Sequence, residues 1–450
     1  MAFSKGTKIP LLYGDVVTVL EDKPLGSGGQ GEVYLVDYKG RKCALKWYTA
    51  TRLKESKDFR DNIQNNISKG TPDEQFIWPL DMTKDFEGSF GYVMDLIPKE
   101  YEQFSYVLKT YRVVNIDKRS TKKVSVRWKS FDAEVNAAVN IISAFRNLHK
   151  IGKSYQDLND GSLHFDMTTG DVKICDCDNI SSDFTSVSNI AGKLGYMAPE
   201  VVMRKEKPNV NTDKFSLAVI LFKLFLMGHP LEGAKRDDYD HGFSDKASSE
   251  MYGSKAVFVY DPKDASNRPI EGVDVNVIKL WGYYPQYLKD MFTRTFTDGL
   301  HDSSKRPAEI EWLDVIRRLR SDMVFCECGC PPVFISSQNT SKGYYTCPKC
   351  HEQYPILDLH QGRSTISLAL TPKTQLYSYQ IRGDYDFKTL VGKVKENDIH
   401  PGVFGLKNLS NSDTWITSKG VTIKPNEGYK IQPGLEIDFG RVKGKIREIV

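Results

Sequence analysis

Apolar residues recur along this chain with different periods, and each period predicts a different element. Near the N-terminus Tyr34-Leu35-Val36 alternates into a turn at Lys39-Gly40, and Cys43-Ala44-Leu45-Lys46 follows, predicting a two-stranded hairpin. Phe59, Ile63 and Ile67 then fall at i, i+4 and i+8, one face of a helix expected over 51–68. Tyr92-Val93-Met94-Asp95-Leu96-Ile97 reads as a strand, and 287–294 and 309–319 have helical spacing. The longest apolar run, 217–227, contains Lys223 and is about half the length that spans a bilayer, so it reads as a buried helix. Beyond Tyr354-Pro355 the stretches become short and alternating: 364–370, 375–381, 402–409, 413–417, 420–423, 429–431, 436–439 and 445–450. Glycine, proline and asparagine punctuate them roughly every 8–12 residues, the pattern of a β-sandwich.

Composition narrows the picture modestly. A chain of 450 residues suggests about two to four domains. Sixty-two basic against 58 acidic side chains leave a net charge of +4, too little to point to nucleic acid or a membrane surface. Lys109, Arg112, Lys118, Arg119, Lys122, Lys123, Arg127 and Lys129 make 109–129 locally basic, either a solvated insertion or a docking patch for an acidic partner. The segment 232–269 is polar and turn-rich and reads as a surface excursion. Met1-Ala2-Phe3-Ser4-Lys5-Gly6 lacks the apolar centre of a signal peptide, so a cytoplasmic location is expected.

The eight cysteines divide unevenly. Cys43, Cys175 and Cys177 are scattered, while five crowd into Cys326-Glu327-Cys328-Gly329-Cys330 and Cys347-Pro348-Lys349-Cys350. Two thiol knuckles separated by the strand-like Val333-Phe334-Ile335 and Tyr344-Tyr345-Thr346 predict a zinc ribbon over 320–357, with four thiolates around one structural ion. Cys347 and Cys350 supply one knuckle; Cys326 and Cys328 are preferred for the other, with Cys330 as substitute. The competing disulfide reading suits a leaderless chain poorly.

Leu25-Gly26-Ser27-Gly28-Gly29-Gln30-Gly31-Glu32-Val33 fits G-x-G-x-x-G-x-V and sits in a hairpin, not in a strand-turn-helix unit. Backbone N–H groups over Gly26, Ser27, Gly28, Gly29 and Gly31 can approach phosphate oxygens without a Cβ in the way, and Val33 would lie on adenine. Lys46 is then the cation for the α- and β-phosphates. Farther on, Asp157 and Asp176 stand between apolar strand-like segments. Phosphoryl transfer needs such a pair, one carboxylate to accept the proton of the attacking hydroxyl and one to hold magnesium. Taken alone, the two read equally as a turn acid and a strand-end acid.

The run Gly192-Lys193-Leu194-Gly195-Tyr196-Met197-Ala198-Pro199-Glu200 ends in A-P-E, Asp213 follows in Thr212-Asp213-Lys214-Phe215-Ser216-Leu217, and Arg306-Pro307 comes late. With these motifs in order, the chain resembles the eukaryotic-like protein kinase family over about 14–319. The resemblance implies an α+β bilobal fold, with a small lobe over about 14–97 and a large lobe over about 98–319. It implies ATP between the lobes, with Val33, Ala44, Met94, Asp95 and Ile97 around the base. Asp157 would be the catalytic base, Asp176 the magnesium ligand, and Lys46 the phosphate cation. The implied activity is phosphoryl transfer to serine or threonine of a protein substrate. Asp213 would brace the catalytic loop, and Arg306 would pair with Glu200.

Departures from the family matter equally. Where it reads H-R-D-L-K-x-x-N, this chain reads Tyr155-Gln156-Asp157-Leu158-Asn159-Asp160-Gly161-Ser162. Gln156 in place of arginine frees activity from loop phosphorylation, and Asn159 in place of lysine loses a cation at the γ-phosphate. Ser162 replaces the asparagine that holds a second magnesium, leaving a weaker ligand. D-F-G has become Asp176-Cys177-Asp178, with Asp178 expected to cap a turn in preference to binding metal. The partner of Lys46 is expected at Asp61 or Asn62, with Glu55 too near the strand. Ser181, Ser182, Thr185, Ser186 and Ser188 are candidate self-phosphorylation sites. These departures keep a second reading open, a nucleotide-binding pseudokinase scaffold presenting C-terminal modules; a small-molecule phosphotransferase suits the A-P-E segment and Asp213 less well.

Leu390-Val391-Gly392-Lys393-Val394, Leu406-Lys407-Asn408 and Gly434-Leu435-Glu436-Ile437-Asp438-Phe439-Gly440 give 358–450 a resemblance to forkhead-associated domains, without the serine, arginine and histidine pattern that grips phosphothreonine. A packing or docking module is the alternative. This domain order, with Phe76-Ile77-Trp78-Pro79-Leu80-Asp81, is similar to bacterial kinases of tellurite-resistance triads. That likeness implies a von Willebrand A-type protein and a metal-dependent serine/threonine phosphatase as partners.

Overall fold

The first alternating stretch forms the expected hairpin: strands Gly31–Tyr38 and Arg41–Tyr48 pair antiparallel from Gly31↔Tyr48 to Tyr38↔Arg41. Lys39 and Gly40 close it with φ of 54° and 79°, where the glycine is at ease and the lysine is not. The computed structural model describes residues 3–28, 31–48, 58–86, 88–115, 120–183, 192–238, 245–362 and 364–449. Among these, the hairpin lies in a seven-stranded antiparallel sheet ordered Lys8–Pro10, Val16–Val19, Gly31–Tyr38, Arg41–Tyr48, Gly91–Met94 and Pro79–Met82, with Gly26–Gly28 pairing onto Gly31–Tyr38. The sheet begins at Lys8, ahead of the position 14 expected for the small lobe.

Helix Asp58–Lys69 packs Phe59 and Ile63 against Ala44, Tyr48, Tyr92 and Met94, burying the face that the spacing predicts. Residues 51–57 of the expected helix, Glu55 among them, lie outside the described residues.

Two long helices organise the rest of this unit. Phe131–Lys150 is capped by Ser130, whose hydroxyl accepts from the Ala133 N–H, and it buries ten side chains. Val210–Leu226 starts in a capping box between Asn209 and Thr212. It buries thirteen residues nearly all round, which explains why its sequence is a continuous apolar run. Beside them a small sheet, Val172–Ile174, Leu163–Phe165 and Glu102–Gln103, flanks the loops that carry Asp157 and Asp176. The basic segment contains a hairpin, Tyr111–Asn115 with Thr121–Ser125, whose Lys122 and Lys123 are exposed; Lys118 and Arg119 lie outside the described residues. The expected surface excursion is partly core instead: Phe258, Val259 and Asn267 are buried, and the Asn267 side chain binds the main chain of Leu231, Gly233, Lys235 and Val257. Among the described residues no helix is long and apolar enough to cross a membrane.

Contacts divide the chain into Met1–Gly282 with Asp290–Ile310, and Tyr283–Lys289 with Glu311–Val450. In the second unit, strand Gln353–Gln361 pairs with Tyr344–Thr346, Ser364–Ala369 and Lys443–Ile446. The expected border at 357/358 therefore falls inside one continuous strand. Its sheet continues through Glu436–Asp438, Trp415–Thr417 and Thr422–Ile423. A four-stranded sheet, Gln375–Tyr377, Leu390–Glu396, Phe404–Asn408 and Gly428–Lys430, shares its core: Leu357, Val391, Leu406, Trp415 and Ile437 form one buried cluster.

Candidate active site

The glycine-rich hairpin is built by register. Gly26 opposes Val33, Ser27 opposes Glu32 and Gly28 opposes Gly31. A Cβ at Gly26 or Gly28 would meet nothing within 4 Å, so this exposed edge is open to a ligand. Gly31 is needed for packing, because its Cβ would sit 2.0 Å from the Trp47 carbonyl oxygen. Gly29 lies outside the described residues. Val33 opposes Lys46 and Ala44 opposes Met94, and Val33 and Ile97 pack on the apolar cluster containing Ala44, Met94 and Cys175. Asp95, expected near the base, is exposed and its carboxylate binds Arg41 at 2.8 Å.

Lys46 reaches across this floor. Its Nζ donates to Asp176 Oδ1 at 3.1 Å and to Asp178 Oδ1 at 3.0 Å. Asp178 is fully buried and its Oδ2 also accepts from the Tyr48 hydroxyl at 2.6 Å. The expectation of a turn cap at Asp178 is thus overturned, since its carboxylate is the buried counter-ion of a lysine far away in sequence. Among the described residues of the helix, Asp58–Lys69, neither expected candidate is that partner. Asp61 is exposed, and the Asn62 amide donates to the Ile180 carbonyl at 2.8 Å. Burial alone would lower the Lys46 pKa, but the carboxylates of Asp178 and Asp176 outweigh it and raise it, keeping the ammonium charged. Burial likewise works against the Asp178 anion, and Lys46 with Tyr48 reverses it and lowers that pKa. Asp176 holds φ of 58°, a left-handed backbone rare outside glycine, and its side chain is half exposed, at 49%.

The catalytic-loop candidates converge from the other side. Asp157 Oδ1 accepts from Asn159 Nδ2 at 3.0 Å and from the Lys193 N–H at 3.1 Å. Its pKa is raised, first by burial and also by the charges of Asp176 and Asp178, which are near enough to act on it. Lys193, treated in the sequence only as part of the A-P-E run, also ion-pairs through Nζ with Asp160. No spacing rule marks it, because it reaches the loop only after the chain folds back. Asp213 accepts the N–H groups of Tyr155 at 2.5 Å and Gln156 at 3.0 Å, and Gln156 adopts φ of 76°. Arg306 binds both Glu200 oxygens, at 2.7 and 2.8 Å.

Two expectations are corrected here. Ser162 is buried, at 1% exposed; its hydroxyl donates to the Asn159 carbonyl at 2.8 Å and accepts from the Asn159 N–H at 3.1 Å, so it closes a turn and does not offer itself to a metal. Ser181 is fully buried and paired in a strand with Ser154, with its hydroxyl bound by Gln156, so it is shielded from modification in this conformation. Ser182 is exposed; Thr185, Ser186 and Ser188 lie outside the described residues.

In the second unit the preferred sulfurs gather. One ligand atom from each of Cys326, Cys328, Cys347 and Cys350 lies within 4.8 Å of the others, with Cys326–Cys350 at 3.5 Å and Cys328–Cys347 at 3.7 Å. Cys330, the substitute, has its sulfur 3.5 Å from that of Cys347. The eight cysteines are all free thiols. The Cys347–Cys350 knuckle occupies the turn between Tyr344–Thr346 and Gln353–Gln361, where the Cys347 N–H donates to Glu352 O at 2.9 Å.

A sheet lobe carrying a glycine-rich edge and a buried lysine, set against a helical lobe that presents aspartates to it, defines a two-lobed kinase-type fold. The Protein kinase domain family matches residues 20–270, and the chain belongs to it. Among curated proteins it is similar to Ribosomal protein S6 kinase alpha-4 of Homo sapiens, 26% identical over 221 residues, covering 47% of this chain and 27% of that protein. It is similar to Serine/threonine-protein kinase mos of Patiria pectinifera, 26% identical over 224 residues, covering 47% of this chain and 58% of the relative. A Putative protein kinase C delta type homolog of Drosophila melanogaster is 36% identical over 102 residues, covering 22% of this chain and 15% of the relative. The chain thus spans less than two thirds of the length of each of these relatives, and the family match ends before the cysteine cluster.

Proposed function

We propose that the chain transfers the γ-phosphoryl group of ATP, with magnesium, to serine or threonine side chains of proteins. The observation that carries this reading is the meeting of Lys46 with Asp176 at 3.1 Å while Asp157 sits within electrostatic reach of Asp176. Lys46 would hold the α- and β-phosphates beneath Gly26, Ser27 and Gly28, and the apolar floor of Val33, Ala44, Met94 and Ile97 suits adenine. Asp157 would orient the substrate hydroxyl and take its proton. Its raised pKa favours that role, since a base accepts a proton more readily as its pKa nears the working pH. Asp176 is the carboxylate fitted to magnesium, being half exposed where Asp178 is buried and already engaged. Bound there, the ion neutralises charge developing on the phosphate oxygens. Serine or threonine as acceptor follows the Mos relative's name, and self-phosphorylation at Ser182 remains part of the proposal.

The cysteine cluster is read as a structural zinc site. Four thiolates about 2.3 Å from a tetrahedral ion lie about 3.8 Å apart, close to the 3.5 and 3.7 Å sulfur separations found. The two sheets beyond it fit the forkhead-associated-like sandwich in a docking role, and the phosphatase and von Willebrand A-type partners rest on the triad resemblance.

Incubation of the full chain with labelled ATP, magnesium and a generic protein acceptor tests the reading. We expect protein-bound phosphate, reduced by about 10²–10⁴-fold in Asp157→Asn and similarly in Asp176→Asn. The engaged Ser162 and the loss of lysine at Asn159 favour the scaffold alternative, and nucleotide binding without any transfer would assign that role instead.

A further inference from the structure

A lysine that must hold a phosphate needs a fixed place, and a buried ammonium needs a counter-ion to have one at all. Among the described residues of the helix expected to supply that acid, Asp61 is exposed, and Asn62 and Asn66 each direct a side-chain amide to the Ile180 carbonyl at 2.8 Å. A buried acid reaches Lys46 from the segment after Asp176. Asp178 is 0% exposed and has both carboxylate oxygens within 3.0 Å of Lys46 Nζ, and Tyr48, two residues beyond Lys46 on the same strand, donates to it as well.

We propose that Asp178 is the positioning residue for Lys46, doing from the metal-binding segment what an acid on the neighbouring helix is expected to do. This rests on the kinase reading above. The burial and the partners of Asp178 favour this role over a second metal ligand or a turn cap. A metal ligand needs a route to solvent and a free lone pair directed at the ion, whereas Asp178 is sealed and both its oxygens are taken. Its partners Lys46 and Tyr48 lie some 130 residues away, so its place is set by the opposite lobe. One short stretch, Asp176 to Asp178, would then set both the metal carboxylate and the lysine. Among the described residues of the helix, Asn62 and Asn66 support this segment by holding the Ile180 carbonyl.

The test compares Asp178→Asn, Asn62→Ala, Tyr48→Phe and the double variant Asp178→Gly with Asn62→Glu, which returns an acid to the helix. Each is measured by kcat and KM for ATP, by calorimetric affinity for Mg-ATP, and by circular dichroism to confirm folding. We expect Asp178→Asn to lose about 100-fold in kcat and about tenfold in Mg-ATP affinity, Asn62→Ala to stay within about threefold, and the double variant to recover most of both losses. Normal kcat and affinity in a folded Asp178→Asn would overturn the proposal. If Asp178→Asn does not fold, the double variant decides: recovered Mg-ATP binding supports the positioning role, and continued loss of binding refutes it. Tyr48→Phe keeps the ion pair and should change affinity less than threefold. Should the wild-type chain transfer no phosphate, the kinase reading falls, while the pattern of affinities across the variants still settles the role of Asp178.

Discussion

His149 lies buried between two acids, its Nε2 3.1 Å from Asp213 Oδ2 and its Nδ1 2.7 Å from Glu309 Oε1. Burial disfavours its charged form, but Asp213 and Glu309 outweigh that and push its pKa up to about 9. In the unfolded chain the value returns to about 6.5. A group raised on folding stabilises fully below its unfolded pKa and loses that contribution as pH climbs to the folded one. Stability should therefore fall between about pH 6.5 and 9, by at most about 1.4 kcal/mol per pH unit from this residue. Chemical denaturation across that window should show a flatter slope for His149→Gln, and an unchanged slope would remove His149 as the cause. The consequence is functional, because Asp213 also holds the main chain at Tyr155 and Gln156, next to Asp157. At this scale the sequence was uneven. Lys46, Asp157 and Asp176 each stand in a motif with a chemical reason, and Lys46 meets Asp176 at 3.1 Å. Asp178, Lys193 and Ser162 act through partners distant in the chain or through a local turn, which motif spacing does not encode.

Elements were more legible where one period dominated. Gly31–Tyr38, Arg41–Tyr48 and Val210–Leu226 follow from alternation, from a glycine turn and from a continuous apolar run. The stretch 375–381 splits instead into strand Gln375–Tyr377 and a helical turn Ser378–Ile381. All four residues of that turn are buried and the Gln380 side chain accepts from the Tyr377 N–H at 2.7 Å, so buried polar contacts overrode the alternating pattern. Strand Gln353–Gln361 was missed because Pro355 reads as a breaker; Pro355 sits opposite Tyr344 near the strand's start, where its missing N–H is tolerated. This strand ties the cysteine knuckle to the sheet, which yields a test. Chain purified from zinc-supplemented medium should carry about one zinc ion, lost in Cys347→Ser. Chelation should speed hydrogen exchange in Tyr344–Thr346 more than in Trp415–Thr417, whose support comes from the apolar core. Absence of metal together with unchanged exchange on chelation would exclude a structural ion.

For the whole molecule, the order of motifs carried most of the information, because a glycine hairpin, a lysine strand, a catalytic loop, A-P-E and a late arginine constrain one topology together. Arg306 on Glu200 and Asp213 beneath the loop are long-range consequences of that order. The division of the chain was less legible: the residues from Glu311 onward group with the C-terminal unit, inside a helix whose spacing gives no sign of a boundary. The central claim is that Lys46, Asp157 and Asp176 serve a single Mg-ATP. Isothermal calorimetry of ATP, with and without magnesium, on the wild-type chain, Lys46→Met and Asp176→Asn tests it most directly. One site is expected, tightened at least about tenfold by magnesium in the wild type, with that gain lost in Asp176→Asn and binding weakened in Lys46→Met in either condition. ATP affinity that is indifferent to magnesium and to both substitutions would contradict the account.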